Sequence, residues 1–393
     1  MSRRPQRSRS KSSRRRLWPR ILLVLGLLAV LAVAALGAGA WWAWQTLHEP
    51  YRSWSGDQVL VEIEPGTAAT DILHRLQEEG VLVDADLARL YLVHYLEDPP
   101  LLAGEYRFEE ALNTPQVLAK LTSGDVVTHG VTVIEGLTLW ETAALLAREG
   151  FGEEQAFLDA MSSPRLIADL DPEATNLEGY LFPSTYRFPS NATEAAIVET
   201  LVRTFRTTYR REVEPLIPPP EAGEEPATVR DIVTLASIVE KEARLDDERP
   251  TIAGVYAHRL RRGIGLYADP TVIYALRLAG RWDGNIRRRD LQMDSPYNTY
   301  VVQGLPPGPV ASPGRLSLEA AAAPPEVPYL YFVSRNDGSH VFSKTLAEHN
   351  RNVERWQKQY WREKWAEERR RKAEPEAKES KPSNKGKESP PPR

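Results

Sequence analysis

Two glutamates placed two residues apart at the end of an apolar stretch are the side chains of this chain best suited to chemistry. They lie in Leu235-Ala-Ser-Ile-Val-Glu-Lys-Glu-Ala-Arg244. Ile232, Leu235, Ala236, Val239 and Ala243 recur at helical spacing and form a buried stripe. At about 100° per residue, Glu240 falls on one border of that stripe beside Val233 and Ala236. Glu242 falls on the other border, beside Leu235 and Ile238, and Lys241 points away. A carboxyl group kept protonated by an apolar setting is a general acid near neutral pH. Spacing alone leaves both glutamates open. The small Ala236, one turn before Glu240, leaves room for a ligand there. Lys241 lacks the desolvation that Schiff-base chemistry requires.

The blocks that follow are Ala268-Asp-Pro-Thr-Val-Ile-Tyr274, Ser295-Pro-Tyr-Asn-Thr-Tyr300 and Gly304-Leu-Pro-Pro-Gly308. Taken in this order with the Glu-Lys-Glu helix, they resemble the catalytic region of the endolytic murein transglycosylases, the MltG or YceG-like family. The likeness runs from about Val59 to Trp356 and leaves out the two ends of the chain. It implies an enzyme that cuts peptidoglycan glycan strands without water, with the first glutamate, Glu240, as acid and then base. That residue would protonate the leaving oxygen and then take the proton of the N-acetylmuramic C6 hydroxyl as it closes a 1,6-anhydro ring. Intramolecular attack has a high effective molarity, so one acid/base group suffices. The family pattern also implies partners in the cell-wall machinery, the peptidoglycan synthases.

A hydrolytic muramidase would need a second carboxylate, and Asp269 and Glu178 are the candidates. Asp269 precedes Pro270, a pair that reads first as a helix N-cap and N1. Glu178, Tyr180, Ser184 and Tyr186 make a polar and aromatic group that reads equally as a sugar subsite or as core. Asn298, Tyr300 and Gln303, ahead of the stiff Pro306-Pro307-Gly308 turn, are expected to face acetamido and sugar oxygens. Ser312-Pro313 reads as the cap of the alanine-rich helix at 320–323. A third reading, a non-catalytic glycan-binding scaffold, makes the helix glutamates structural.

These residues need elements to hold them, and the fold class read from the pattern is α+β. Residues 1–20 form a basic arm without an acidic residue, and 21–44 an uncharged apolar run ending in Trp41, Trp42 and Trp44. About 20 apolar residues span a bilayer, and the positive-inside rule leaves the arm cytoplasmic and the body across the inner membrane, in the periplasm. The run is longer than the h-region of a cleaved signal peptide. Residues 45–57 read as a tether. The strand, two helices and strand within 58–124, followed by a third helix, look like a LysM-like subdomain, with Thr67 as a cap and Asp84–Tyr95 as the second helix. Residues 125–228 connect, 229–358 form the catalytic core, and the charged tail 359–393 is expected to be disordered. Thr138 and Glu141 form a capping-box pattern.

The chain has no cysteine and its seven histidines are scattered, so neither a metal nor another cofactor is expected. Its formal charge is -4 although the arm is strongly basic, so the body is acidic, and nothing points to nucleic acid. Attraction to anionic lipid accounts for the arm.

Overall fold

The structure, a computed structural model, describes residues 17–220 and 226–379. The expected basic arm as far as residue 16, and the tail from residue 380, lie outside the described residues. The chain divides into two compact units, Met1–His129 with Phe188–Asn191, and Gly130–Arg187 with Ala192 onward.

The first unit opens with α1 (Leu17–His48). Its stretch Ile21–His48 has a mean hydropathy of 2.9 and is long and apolar enough to cross a membrane. From Ile21 to Leu36 its leucines and valines are exposed, whereas Leu47 in its last turn is buried. After it come β1 (Val59–Ile63), α2 (Ala69–Glu78), α3 (Ala85–Tyr95), β2 (Gly104–Phe108) and α4 (Thr114–Ser123). β1 and β2 pair antiparallel, Val61 opposite Tyr106. The pleat turns Val61, Ile63, Tyr106 and Phe108 onto Ile72, Leu73, Leu76, Leu92, Val117 and Leu118, all buried. Each such leucine contributes about 1.5–3 kcal/mol when buried, which explains how a cysteine-free unit of this size holds a core. Asp84 caps α3 by accepting from the Leu87 N–H at 2.9 Å. Thr67 does not cap α2: Ala68 holds that position, and the Thr67 hydroxyl donates to the Glu64 carbonyl at 2.8 Å, closing the Pro65-Gly66 turn instead.

Next in the chain, β3 (Thr128–Val133) pairs with β4 (Ser184–Pro189). β4 lies within the stretch 125–228 that the sequence reading gave only as connecting. Between them stand α5 (Leu139–Arg148), whose capping box of Thr138 and Glu141 is present, and α6 (Glu154–Met161). α7 (Glu194–Thr208) follows, then α8 (Val229–Glu242), α9 (Arg249–Arg261), α10 (Asp269–Leu278) and α11 (Arg315–Ala322). α8 is the centre: Ile232 through Val239 are all buried, so its middle is enclosed on every side and only its two ends are polar. Its neighbours α9 and α11 approach closely; a Cβ on Gly254 of α9 would stand 2.6 Å from the Pro325 carbonyl oxygen.

β5 (Tyr331–Ser334) and β6 (His340–Ser343) form an antiparallel hairpin whose turn uses the left-handed residues Asn336 and Gly338. α12 (Leu346–Val353) packs on it, and after a wider turn α13 (Tyr360–Glu379) continues the chain. The segment expected to lack structure from 359 is thus helical as far as Glu379. Its composition of Glu, Lys, Arg and Ala explains this, since those residues favour the helix even without a core to pack on.

Candidate active site

The last turn of α8 carries both glutamates. Thr228 caps the other end, accepting from the Asp231 N–H at 3.1 Å, and Ser237 pins the middle by donating to Thr234 O at 2.7 Å while accepting from the Val310 N–H at 3.0 Å. The chain leaves the helix at Ala243, whose ψ of 129° is extended.

The two carboxylates then meet different surroundings. Glu240 has a side chain only 6% exposed; one oxygen accepts from Arg249 Nη2 at 2.8 Å and the other from the Gly314 N–H at 3.0 Å. Arg249 also holds Asp246 at 2.6 Å and donates to Ser317 Oγ at 3.0 Å. Glu135 closes this cluster, 3.7 Å from Arg249, and partial burial followed by repulsion from Glu240 raises its carboxyl above the usual range. Glu135 lies close over Gly314, so a Cβ there would stand 1.9 Å from Glu135 Oε1 and displace that carboxylate. In this structure Glu240 is ion-paired and ties α8 to α9 and to the start of α11. The sequence reading placed it as acid and then base; Arg249, nine residues on, is a partner that helical spacing does not reveal.

Glu242 faces a cleft of about 430 Å³ instead, with Tyr256, Arg259, Leu266, Tyr267, Asp269 and Tyr300 on one side and the β5–β6 hairpin with His340 and His349 on the other. The Tyr256 hydroxyl donates to its carboxylate at 3.2 Å. Burial, and then the charge of Asp269, raise its carboxyl from 4.5 to about 7. Position adds to this, since an anion at a helix C-terminus faces unpaired carbonyls. The result is a carboxyl group poised between acid and base at neutral pH, on an open cleft.

Asp269 shares the cleft. Ala268 takes the N-cap of α10, so Asp269 is already in the helix and caps nothing; its exposed carboxylate accepts from the Tyr300 hydroxyl at 2.7 Å. Thr299 sets this pair in place. Its hydroxyl accepts from the Ala268 N–H at 3.0 Å and lies 2.9 Å from that of Thr271. Tyr267, at the rim, has a φ of +52°, strained for an aromatic residue, and its ring lies 5.4 Å from that of Tyr300.

The structure thus brings Asp269 and Tyr300 to the cleft and leaves the other expected residues elsewhere. Asn298 is fully buried; its amide donates to Leu291 O at 3.2 Å and Met293 O at 2.8 Å, and its oxygen accepts from the Tyr300 N–H at 3.1 Å, so it staples the loop and offers nothing to a sugar. Gln303 is exposed outside the cleft lining. Glu178, 3% exposed, accepts from the Leu139 N–H at 3.2 Å on both oxygens, under the start of α5, and burial raises it to about 8. Tyr180 is core, donating to Asp171 and packed edge-on to Phe205 at 5.1 Å. Tyr186 is buried with its hydroxyl on Phe182 O at 2.6 Å, and Ser184 opens β4, half-buried. Where a sugar subsite was one expectation for these four residues, the structure has the packing that holds β4 and α7. Ser312 likewise caps nothing, Gly314 being the N-cap of α11. Spacing gave no signal for Tyr256, Arg259, Tyr331, His340 and His349 in the lining, because they come from four separate elements.

A family model described as the YceG-like family matches residues 61–355. The chain belongs to the YceG-like family. Among YceG-like relatives, the endolytic murein transglycosylase of Bacillus subtilis (strain 168) is 33% identical over 337 residues, covering 81% of this chain and 90% of that protein. The proteins of the same name from Streptococcus pneumoniae strains D39 and R6 are 29% and 28% identical over 365 residues, spanning 84% of this chain and 64% of each of theirs. A solved YceG-like structure from Listeria monocytogenes has 34% identity, covers 76% of this chain and 99% of its own, and aligns with a TM-score of 0.48.

Proposed function

We propose that this protein is an endolytic lytic transglycosylase that cleaves peptidoglycan glycan strands between N-acetylmuramic acid and N-acetylglucosamine, with Glu242 as acid and then base. The observation that carries the assignment to Glu242 is its position: of the two helix glutamates it is the one on the cleft, half-buried, with its carboxyl raised to about 7. The assignment of the reaction rests on the family and on the names of its relatives.

Protonated Glu242 gives its proton to the glycosidic oxygen as the bond to C1 of the muramyl residue breaks. The positive charge that develops at C1 and the ring oxygen falls beside Asp269, whose carboxylate Tyr300 holds in place. The C6 hydroxyl of the same sugar then attacks C1, and the Glu242 carboxylate takes its proton, so the enzyme ends protonated as it began. Tyr256 orients Glu242 through the whole cycle.

Asp269 on the same cleft also favours a second reading, a muramidase in which it activates water. Mass spectrometry of fragments from uncrosslinked glycan strands separates the two. Anhydro-ended internal fragments support the transglycosylase, fragments heavier by one water support the muramidase, and intact strands sink both. With Glu242→Gln both kinds of fragment should vanish; if only Glu240→Gln removes them in a folded protein, the assignment to Glu242 fails.

We place the body on the periplasmic face of the inner membrane, anchored by α1 with the basic arm in the cytoplasm, as the positive-inside rule directs. We read the first unit, which the sequence likened to a LysM-like subdomain, as a module that holds a glycan strand. Cutting nascent strands would put the protein beside the peptidoglycan synthases.

A further inference from the structure

Glu242 and Asp269 supply carboxylates to the cleft, and Arg259 the cation in its lining. The other poorly exposed guanidiniums of this unit meet carboxylates: Arg249 meets Glu240 and Asp246, and Arg230 meets Asp171 at 3.0 Å. Arg259 is 5% exposed, and among the described residues it meets none; its electrostatic neighbours are Tyr256, Tyr331, Tyr267 and Tyr300. Its charge lies 5.0 Å over the Tyr267 ring and 5.5 Å over Tyr331. Gly265 O accepts from Nε at 2.9 Å and Nη2 at 2.6 Å, and Leu330 O from Nη1 at 2.8 Å. A guanidinium has five N–H groups in a planar fork, so one on each terminal nitrogen is left over. Burying a guanidinium without a counter-ion costs free energy, and a site that tolerates the cost is suited to an anion that arrives with the ligand.

His349 is an independent sign in the same cleft. It lines the cleft, its ring stacks on Tyr331 at 5.2 Å, and its Nδ1 is buried without a hydrogen-bond partner. Burial and the nearby Arg259 charge hold the imidazole neutral, so an N–H can sit on Nδ1. The neighbouring His340 differs, because Glu248 already engages its Nδ1 at 2.7 Å.

We propose that Arg259 and His349 form a carboxylate-binding subsite, so that the cleft selects glycan strands carrying an acidic substituent on the muramyl residue. This rests on the reading of the protein as a peptidoglycan-cleaving enzyme. A strand offers such a carboxylate from two sources, the stem peptide or, once the peptide is removed, the free lactyl group. Neither Arg259 nor His349 takes part in the proton transfers; both act on binding, and so on KM.

The test uses detergent-solubilised full-length protein and four substrates: peptide-bearing strands and peptide-stripped strands, each with its carboxylates intact or converted to carboxamides. Amidation should raise KM by about tenfold, the weight of one charge-assisted hydrogen bond, while kcat changes little. A rise confined to peptide-bearing strands identifies the stem peptide as the source, and one confined to stripped strands the lactyl group. In Arg259→Gln the ratio of amidated to intact KM should fall toward one, and in His349→Leu it should shrink. Should Arg259→Gln not fold after losing its grip on Gly265 and Leu330, His349→Leu and Arg259→Lys carry the comparison. A wild-type KM indifferent to amidation on both strands overturns the subsite, as does a ratio that the variants leave unchanged. Failure of the wild type to cleave any strand would instead overturn the enzymatic reading beneath it.

Discussion

Glu240 and Glu242 differ by two positions and by the whole of their environment, and substitutions should separate them. Glu242→Gln should lower kcat by at least a thousandfold with the melting temperature nearly unchanged, because its polar tie is one hydroxyl. Glu240→Gln leaves Arg249 buried with only Asp246 and the more distant Glu135 for charge. It should cost about 3–5 kcal/mol in a denaturant titration, the penalty for breaking a buried pair; a loss below about 1 kcal/mol would show that the pair is not buried in solution. The pH profile follows from Glu242 as well. Its acid form donates the proton and its carboxyl is raised to about 7, so kcat/KM should hold below that pH and fall about tenfold per unit above it. A profile flat to pH 9 would remove Glu242 from the role of acid. Helical spacing showed that a carboxylate on this helix border was the residue to examine, and the family resemblance pointed to Glu240. Spacing alone could not separate the two, because Arg249 and Gly314 reach Glu240 from other elements.

At the scale of elements, much of the fold was legible where local rules decide. The capping box at Thr138 and Glu141 follows from two side chains three residues apart, and the helix read from Asp84 to Tyr95 is present from Ala85. Legibility failed where a distant element decides. β4 exists because Ser184–Pro189 finds β3, with Thr132 and Thr185 hydroxyls 2.9 Å apart across the pair, and a Leu-Phe-Pro-Ser-Thr-Tyr run does not announce that. Asp269 had the Asp-Pro form of an N-cap, but the Thr299 hydroxyl takes the Ala268 N–H and moves the helix start back by one. Thr299→Val should therefore loosen the Asp269–Tyr300 pair, lowering kcat several-fold and stability by about 1–2 kcal/mol for an orphaned buried amide. Thr299→Ser, which keeps the hydroxyl, should restore both; if it does not, the methyl packing and not the hydrogen bond sets the loop.

For the molecule as a whole, stability should carry the mark of Glu178. Its folded-state carboxyl titrates at about 8 against an ordinary 4.5, so the protonated form is the one the fold favours. The contribution is complete below about 4.5 and is lost as the pH rises through about 8. The wild-type melting temperature should thus decline over that window more steeply than that of Glu178→Gln; parallel slopes would mean the group ionises freely. The anchor makes a second prediction. With Ile21–His48 present the protein should stay with membranes after carbonate extraction, and removal of that stretch should release it.

The shared helical turn has a consequence for how this chain can change over generations. One inserted residue ahead of Glu240 would advance the last turn by a single step, carrying Lys241 to the cleft and Glu240 to the outward face. One deleted residue would set Lys241 against Arg249. The twin glutamates are therefore no spare copies of each other, and this stretch should tolerate substitutions of its apolar residues far better than any change in its length.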